Sequence, residues 1–147
     1  DWAGQIDDRK STSGFIFYLN NGAISYASKS QKCVALSTAE SEYIALGEAA
    51  REAIYLRMLL KDLGQEQTEP TVIYEDNVAA EKLCKNNVPH SRTKHIDIRH
   101  HFIRETVQQG EIEVKHLAST EMLADLLTKA LAFPTFSKLR QNIVVPK

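Results

Sequence analysis

The stretch Ala35-Leu36-Ser37-Thr38-Ala39-Glu40-Ser41-Glu42-Tyr43 decides how the rest of the chain is read. Ser37 to Glu40 has the Ser-x-x-Glu form of a capping box, in which the hydroxyl and the carboxylate each accept a hydrogen bond from a backbone N–H that the helix leaves unpaired. Behind it Ala45, Ala49, Leu56, Leu59, Leu60 and Leu63 recur at three- and four-residue steps, and Gly64 follows the last of them. The pattern predicts a long helix with one apolar stripe, closed at Gly64. Glu42 shares the stripe of Ala45 and Ala49, whereas Glu40 points roughly the other way and does the capping.

Working outward, Asp7 to Gly14 is polar and turn-like. Phe15 to Leu19 reads as a strand, Asn20-Asn21-Gly22 as a hairpin turn in which the Asn-Gly pair supplies positive φ, and Ala23 to Ser28 as the partner strand. On the other side, Pro70 precedes a short apolar strand, Thr71 to Tyr74, that ends in Glu75-Asp76. Val78 to Lys85 reads as a helix, Pro89 as a break, and Thr93 to Gln108 as a helix before Gly110. Ile112 to Leu117 alternates apolar and polar residues, the period of a strand with one buried face. Ser119 or Thr120 is expected to cap a last main helix through Leu131, and Phe133 to Gln141 to form a short helical tail. The order ββ-α-β-α-α-β-α defines a mixed α/β class, read as one domain over residues 1–147 with a tail from about 133.

Length and composition agree with one globular domain: 147 residues, 43% hydrophobic and 25% charged. Cys33 and Cys84 have neither metal-site spacing nor the density of a disulfide scaffold, and read as free thiols of an intracellular protein. No run approaches the ~18 consecutive apolar residues of a membrane span, and no signal peptide opens the chain. It starts at Asp1-Trp2 without a Met, as expected of a piece of a longer polypeptide. The net charge of −1 argues against an indiscriminate nucleic-acid binder. Within 82–104, however, Lys82, Lys85, Arg92, Lys94, Arg99 and Arg104 face Asp97 alone, alongside His90, His95, His100 and His101. Charge alone leaves two readings open there, a phosphate-binding face and a solvated helix face.

Three acidic residues fall where surface charge would not. Glu42 is either aimed toward the core side of its helix or an early-turn acid favoured by the helix dipole. Asp76 ends an apolar strand, where α/β sheets gather ligands, or else caps the next helix. Asp125 lies among Met122, Leu123, Ala124, Leu126 and Leu127. If enclosed there, it needs a cation or a basic side chain as partner; on an amphipathic helix it could instead face solvent. Converging carboxylates are how a protein binds hard cations such as Mg²⁺. Two such ions about 4 Å apart can activate water and stabilise the leaving oxygen in phosphodiester hydrolysis. The residues by themselves reach as far as a candidate metal-dependent phosphoryl-transfer site.

Six ordered motifs carry the reading further. Asp1-Trp2-Ala3-Gly4, Asp8 to Gly14, Ala35 to Tyr43, Glu75-Asp76-Asn77, Arg92 to Arg99 and Leu123 to Lys129 resemble, from the first residue to about Phe136, the ribonuclease H domain of copia-type LTR retrotransposons. The resemblance implies a ribonuclease H-like mixed sheet flanked by helices. It makes Glu42, Asp76 and Asp125 the catalytic carboxylates, binding two Mg²⁺ or Mn²⁺ ions. Activated water would cut the RNA strand of an RNA–DNA hybrid, leaving a 3′-hydroxyl and a 5′-phosphate, with no protein nucleophile. It also implies a reverse transcriptase domain upstream in the same Pol polyprotein and no membrane association. The expected setting is intracellular, in a cytoplasmic virus-like particle, with the nucleus as a second compartment.

One departure qualifies this picture. The family's first catalytic Asp closes a central first strand in an Asp-x-Asp-Trp stretch, and Asp1 matches the second Asp of it. The first ligand and its strand are therefore expected upstream, leaving an N-terminally truncated domain in which Asp1 binds metal only if the backbone shifts. A non-catalytic nucleic-acid-binding module of the same fold is the alternative reading. His116 falls on the last strand and reads as a strand side chain, not as a counterpart of the mobile-loop histidine of cellular ribonucleases H. The other histidines lack the i, i+4 pairing of a helical zinc site. Arg92 and Lys94 are candidates for contact with the hybrid backbone.

Overall fold

The computed structural model describes residues 2–4, 7–85 and 94–144. Its elements are β1 (Thr12–Leu19), β2 (Gly22–Ser30), α1 (Thr38–Asp62), β3 (Thr71–Glu75), α2 (Val78–Lys85), α3 (Lys94–Gln108), β4 (Ile112–His116) and α4 (Phe133–Val144), with two short 3₁₀ segments, Ser119–Glu121 and Leu123–Leu127, before α4. The class is mixed α/β. The described strands pair as two separate sheets, β1 with β2 antiparallel and β3 with β4 parallel, where the sequence reading expected one mixed sheet. A tight turn suffices for the first pair; the second needs a long crossover, which includes α2 and α3. Two compact units result: Asp1–Ala45 with Leu117–Lys147, and Leu46–His116.

The first unit begins with the hairpin. Leu19 pairs with Gly22, so the loop is Asn20-Asn21, and these two residues carry the positive φ values of 48° and 64°. The expectation that Gly22 shares this burden is corrected: it is the first residue of β2 and closes the ladder. Asparagine tolerates left-handed backbone better than other side-chain-bearing residues, so the pair can form a two-residue hairpin loop. Phe17 pairs with Ser25 but Tyr18 with Ala23, so Ile24 is the extra residue of a bulge that bends β2.

The capping box forms in modified shape. The Glu40 N–H donates to Ser37 Oγ at 3.1 Å, but the Glu40 carboxylate accepts from the N–H of Leu36 at 2.8 Å, one residue further out than in the standard motif. Tyr43 and Ile44 follow as buried residues, and α1 runs on unbroken into the second unit.

No α-helix spans Ser119 to Leu131, which corrects the expected last main helix. Ala118 stands at the N-cap and has no side-chain oxygen to offer, so neither Ser119 nor Thr120 caps. Met122 is extended (φ −73°, ψ 100°) and interrupts the run, leaving single turns closed by i→i+3 bonds such as Asp125 N–H to Met122 O at 3.2 Å. The second turn docks on β1 at Gly14, and the Ser28 hydroxyl donates to the Leu127 carbonyl at 2.6 Å. Leu139 of α4 is fully buried in this unit, and the Lys138 ammonium reaches the carboxylate of Glu121.

Among the described residues of the second unit the buried apolar side chains are Leu46, Ala49, Ala50 and Ala53 of α1, Ile73 of β3, Ala80 of α2, Ile103 of α3, and Ile112 and Val114 of β4. The expected alternation of β4 holds: Glu113 and Lys115 are exposed between the buried positions. Gly64 (φ 74°) closes α1 with a Schellman pattern, its N–H donating to Lys61 O and that of Gln65 to Leu60 O. Arg57 then fixes the connection to β3, its guanidinium donating to the carbonyls of Gln67 and Glu69 and to Thr71 Oγ1.

Gly14 is where a side chain cannot be accommodated without movement. A Cβ there would lie 2.6 Å from Thr128 Cγ2 and 3.2 Å from the Ala124 carbonyl oxygen. Gly14→Ala is expected to lower unfolding free energy by about 1–3 kcal/mol through overpacking. Adding Thr128→Ser, which deletes the nearest methyl, should recover part of that loss in urea denaturation.

Candidate functional site

In the second unit, β3 delivers two carboxylates to its C-terminal end. Glu75 is its last residue, 6% exposed, and Asp76 follows, half-buried. Each offers an oxygen within 4.8 Å of the other's. The Asn77 N–H donates to Glu75 Oε1 at 3.0 Å. Asn77 is also the N-cap of α2, its Oδ1 accepting from the N–H groups of Ala79 (2.9 Å) and Ala80 (3.3 Å). That settles one open alternative: the cap is Asn77, so the carboxylate of Asp76 is not occupied in capping α2. His116 pairs in register with Glu75 at the end of β4 and is exposed, a strand residue as expected.

Glu75 was missed by the sequence reading, although a signal existed. Alternation along Thr71–Glu75 places Glu75 on the same face as buried Ile73, opposite the exposed Tyr74. An acid on a strand's buried face requires compensation, and that alone singles it out.

In the first unit, Glu42 is half-buried between buried Ser41 and buried Tyr43. The acid in the first turn of α1 is Glu40, so the early-turn alternative belongs to Glu40 rather than to Glu42. Asp125 lies in the Leu123–Leu127 turn with its side chain 14% exposed, and Lys129 Nζ stands 2.9 Å from Oδ2. The partner that this position called for is thus a basic side chain, supplied one turn later. Asp1 and Arg92 lie outside the described residues, as does His90; Lys94 opens α3, and His101 on it is exposed. Cys33 is an exposed free thiol. Among the described residues no helix is long and apolar enough to cross a membrane.

The chain is similar to one region of retrovirus-related Pol polyproteins from plant transposons. It is 50% identical over 143 residues, 97% of its length, to the Pol polyprotein from transposon TNT 1-94 of Nicotiana tabacum. Against those from transposons RE2 and RE1 of Arabidopsis thaliana it is 46% identical over 149 and 147 aligned positions, 99% and 100% of its length. It spans about a tenth of the length of these curated relatives (10–11%). No family model and no solved structure matches it.

The division of labour at the end of β3 is testable by stability alone. Asn77→Ala is expected to cost about 1 kcal/mol, the usual loss for an N-cap. Asp76→Asn should leave stability unchanged or raise it, since it relieves repulsion with Glu75. The opposite ranking in thermal unfolding would return the cap to Asp76.

Proposed function

We propose that the chain is the ribonuclease H region of a copia-type retrotransposon Pol polyprotein, hydrolysing the RNA strand of RNA–DNA hybrids during reverse transcription. Asp76 carries this reading. It is a carboxylate at the carboxyl end of a strand in a parallel pair, beside a second carboxylate, and its neighbour Asn77 does the capping. Similarity along nearly the whole chain to Pol polyproteins supports it, as does the order of the six motifs.

The donor set suits a hard divalent cation. Every candidate side chain offers oxygen, and a cation near Glu75 and Asp76 would offset the repulsion of two carboxylates held so close. Glu42, Asp76 and Asp125 would hold two Mg²⁺ or Mn²⁺ ions, whose chemistry is to activate water and neutralise charge at the scissile phosphate. The protein's part is to hold these carboxylates in place. At the end of β3 Asn77 orients Glu75, the neighbour of Asp76, through its N–H and caps α2 through its side chain. The products carry a 3′-hydroxyl and a 5′-phosphate, and no side chain acts as nucleophile. Arg92 and Lys94 would meet phosphates, while 2′-hydroxyls mark the RNA strand and base edges go unread. Partners on this reading are the hybrid and a reverse transcriptase domain of the same polyprotein, inside a cytoplasmic virus-like particle and in the nucleus.

A hybrid-cleavage assay with Mg²⁺ tests it, run on the chain and on a longer Pol fragment that includes the residues preceding Asp1. Asp76→Asn in the active form should lower the rate roughly 100-fold or more, the scale for removing a preorganised electrostatic group. Cleavage that survives Asp76→Asn would sink the catalytic assignment. Hybrid binding without cleavage in both forms would leave a non-catalytic module.

A further inference from the structure

In the first unit, one buried amide ties the strand hairpin to the start of α1. Gln31 is 3% exposed, and its Nε2 donates at 2.9 Å both to Ser13 Oγ on β1 and to the carbonyl of Ser41 on α1. Ser13 and Ser41 are buried as well, 3% and 2% exposed. The Gln31 backbone joins the same hub, its N–H donating to the Ser11 carbonyl at 2.8 Å. Two amide protons and two acceptors therefore meet in a space closed to water.

The orientation of that amide is forced. Turning it over would set its oxygen against the Ser41 carbonyl, acceptor against acceptor. The oxygen instead points away, buried and without a hydrogen bond among the described residues. Leaving a buried acceptor unpaired costs free energy, so the position is held by what the nitrogen gains. Ser41 is the residue next to Glu42, and its carbonyl is part of the peptide unit that joins them.

We propose that Gln31 is a positioning residue for Glu42: its buried amide anchors the Ser41–Glu42 peptide to β1 and so fixes where the Glu42 carboxylate stands for a divalent cation. The inference rests on the metal-dependent reading above. It gains from the neighbouring residue of β1, because Gly14 receives the turn that carries Asp125. Ser13 and Gly14 thus tie two of the candidate ligands to one strand.

The test measures Mn²⁺ binding by the EPR signal of the free ion, on the chain and on the longer Pol fragment that includes the residues preceding Asp1, with amide hydrogen exchange of Ser41 to Tyr43 as second readout. Gln31→Met keeps the volume and removes both donors without burying a charge; Gln31→Glu replaces the donor with an acceptor. Both should weaken Mn²⁺ binding about tenfold or more, the range for a group that orients a ligand. Both should also speed exchange in the first turns of α1. Glu42→Gln should abolish the same binding with exchange unchanged, and Arg57→Ala, destabilising but remote, should leave Mn²⁺ affinity as it is. Unaltered affinity in Gln31→Met, alongside loss in Glu42→Gln, would overturn the positioning role and spare the metal reading. Should neither unaltered form bind Mn²⁺, the metal reading falls, and the positioning role falls with it.

Discussion

The hydrogen bonds of the Gln31 amide set the terms for the first unit. Two serines from different elements, Ser13 and Ser41, are buried, and each would be costly if its polar atoms lacked partners. A single planar group with two protons serves both at 2.9 Å. Because the amide cannot turn over, β1 and the start of α1 are held at one register. Strand alternation then aims the next residue, Gly14, the opposite way, where the absence of a Cβ lets the Leu123–Leu127 turn lie close against the hairpin. One polar contact and one missing methyl thereby order the elements that carry Glu42 and Asp125.

The second unit solves a related problem with different means. Two adjacent carboxylates at the end of β3 repel one another, and a backbone N–H from Asn77 steadies the more buried of them. A fold seldom keeps such an arrangement for stability, since replacing one acid by its amide would ease it. On the proposed function, a cation bound there would offset that repulsion.

Much of this was legible beforehand, and the misses have physical causes. The hairpin, α1, α2, β3 and β4 follow from periodicity and punctuation, because their patterns admit one periodic solution each. The turn at Asn20-Asn21 was shifted by one residue, since Asn-Asn and Asn-Gly both satisfy a positive-φ loop and only the pairing of Leu19 with Gly22 decides. The stretch Leu123 to Leu127 has fair helix propensity, but tertiary docking on Gly14 and the extended backbone at Met122 override it. Asp76 and Asn77 are about equally good N-caps, so which one caps could be read only from the bonds to Ala79 and Ala80. The role of Gln31 left no mark at all: a lone glutamine between Ser30 and Lys32 reads as surface until its burial is seen.

The pairing of Asp125 with Lys129 gives the resting protein a property of its own. A carboxylate with so little exposure already has a tethered monovalent counter-ion. On the proposed function, a divalent ion held by Asp125 would have to displace the Lys129 ammonium, whose four methylenes of side chain would then be free to move. On that reading the carboxylate would discriminate against weakly held cations, because each incoming ion would have to outcompete a partner that is covalently always at hand.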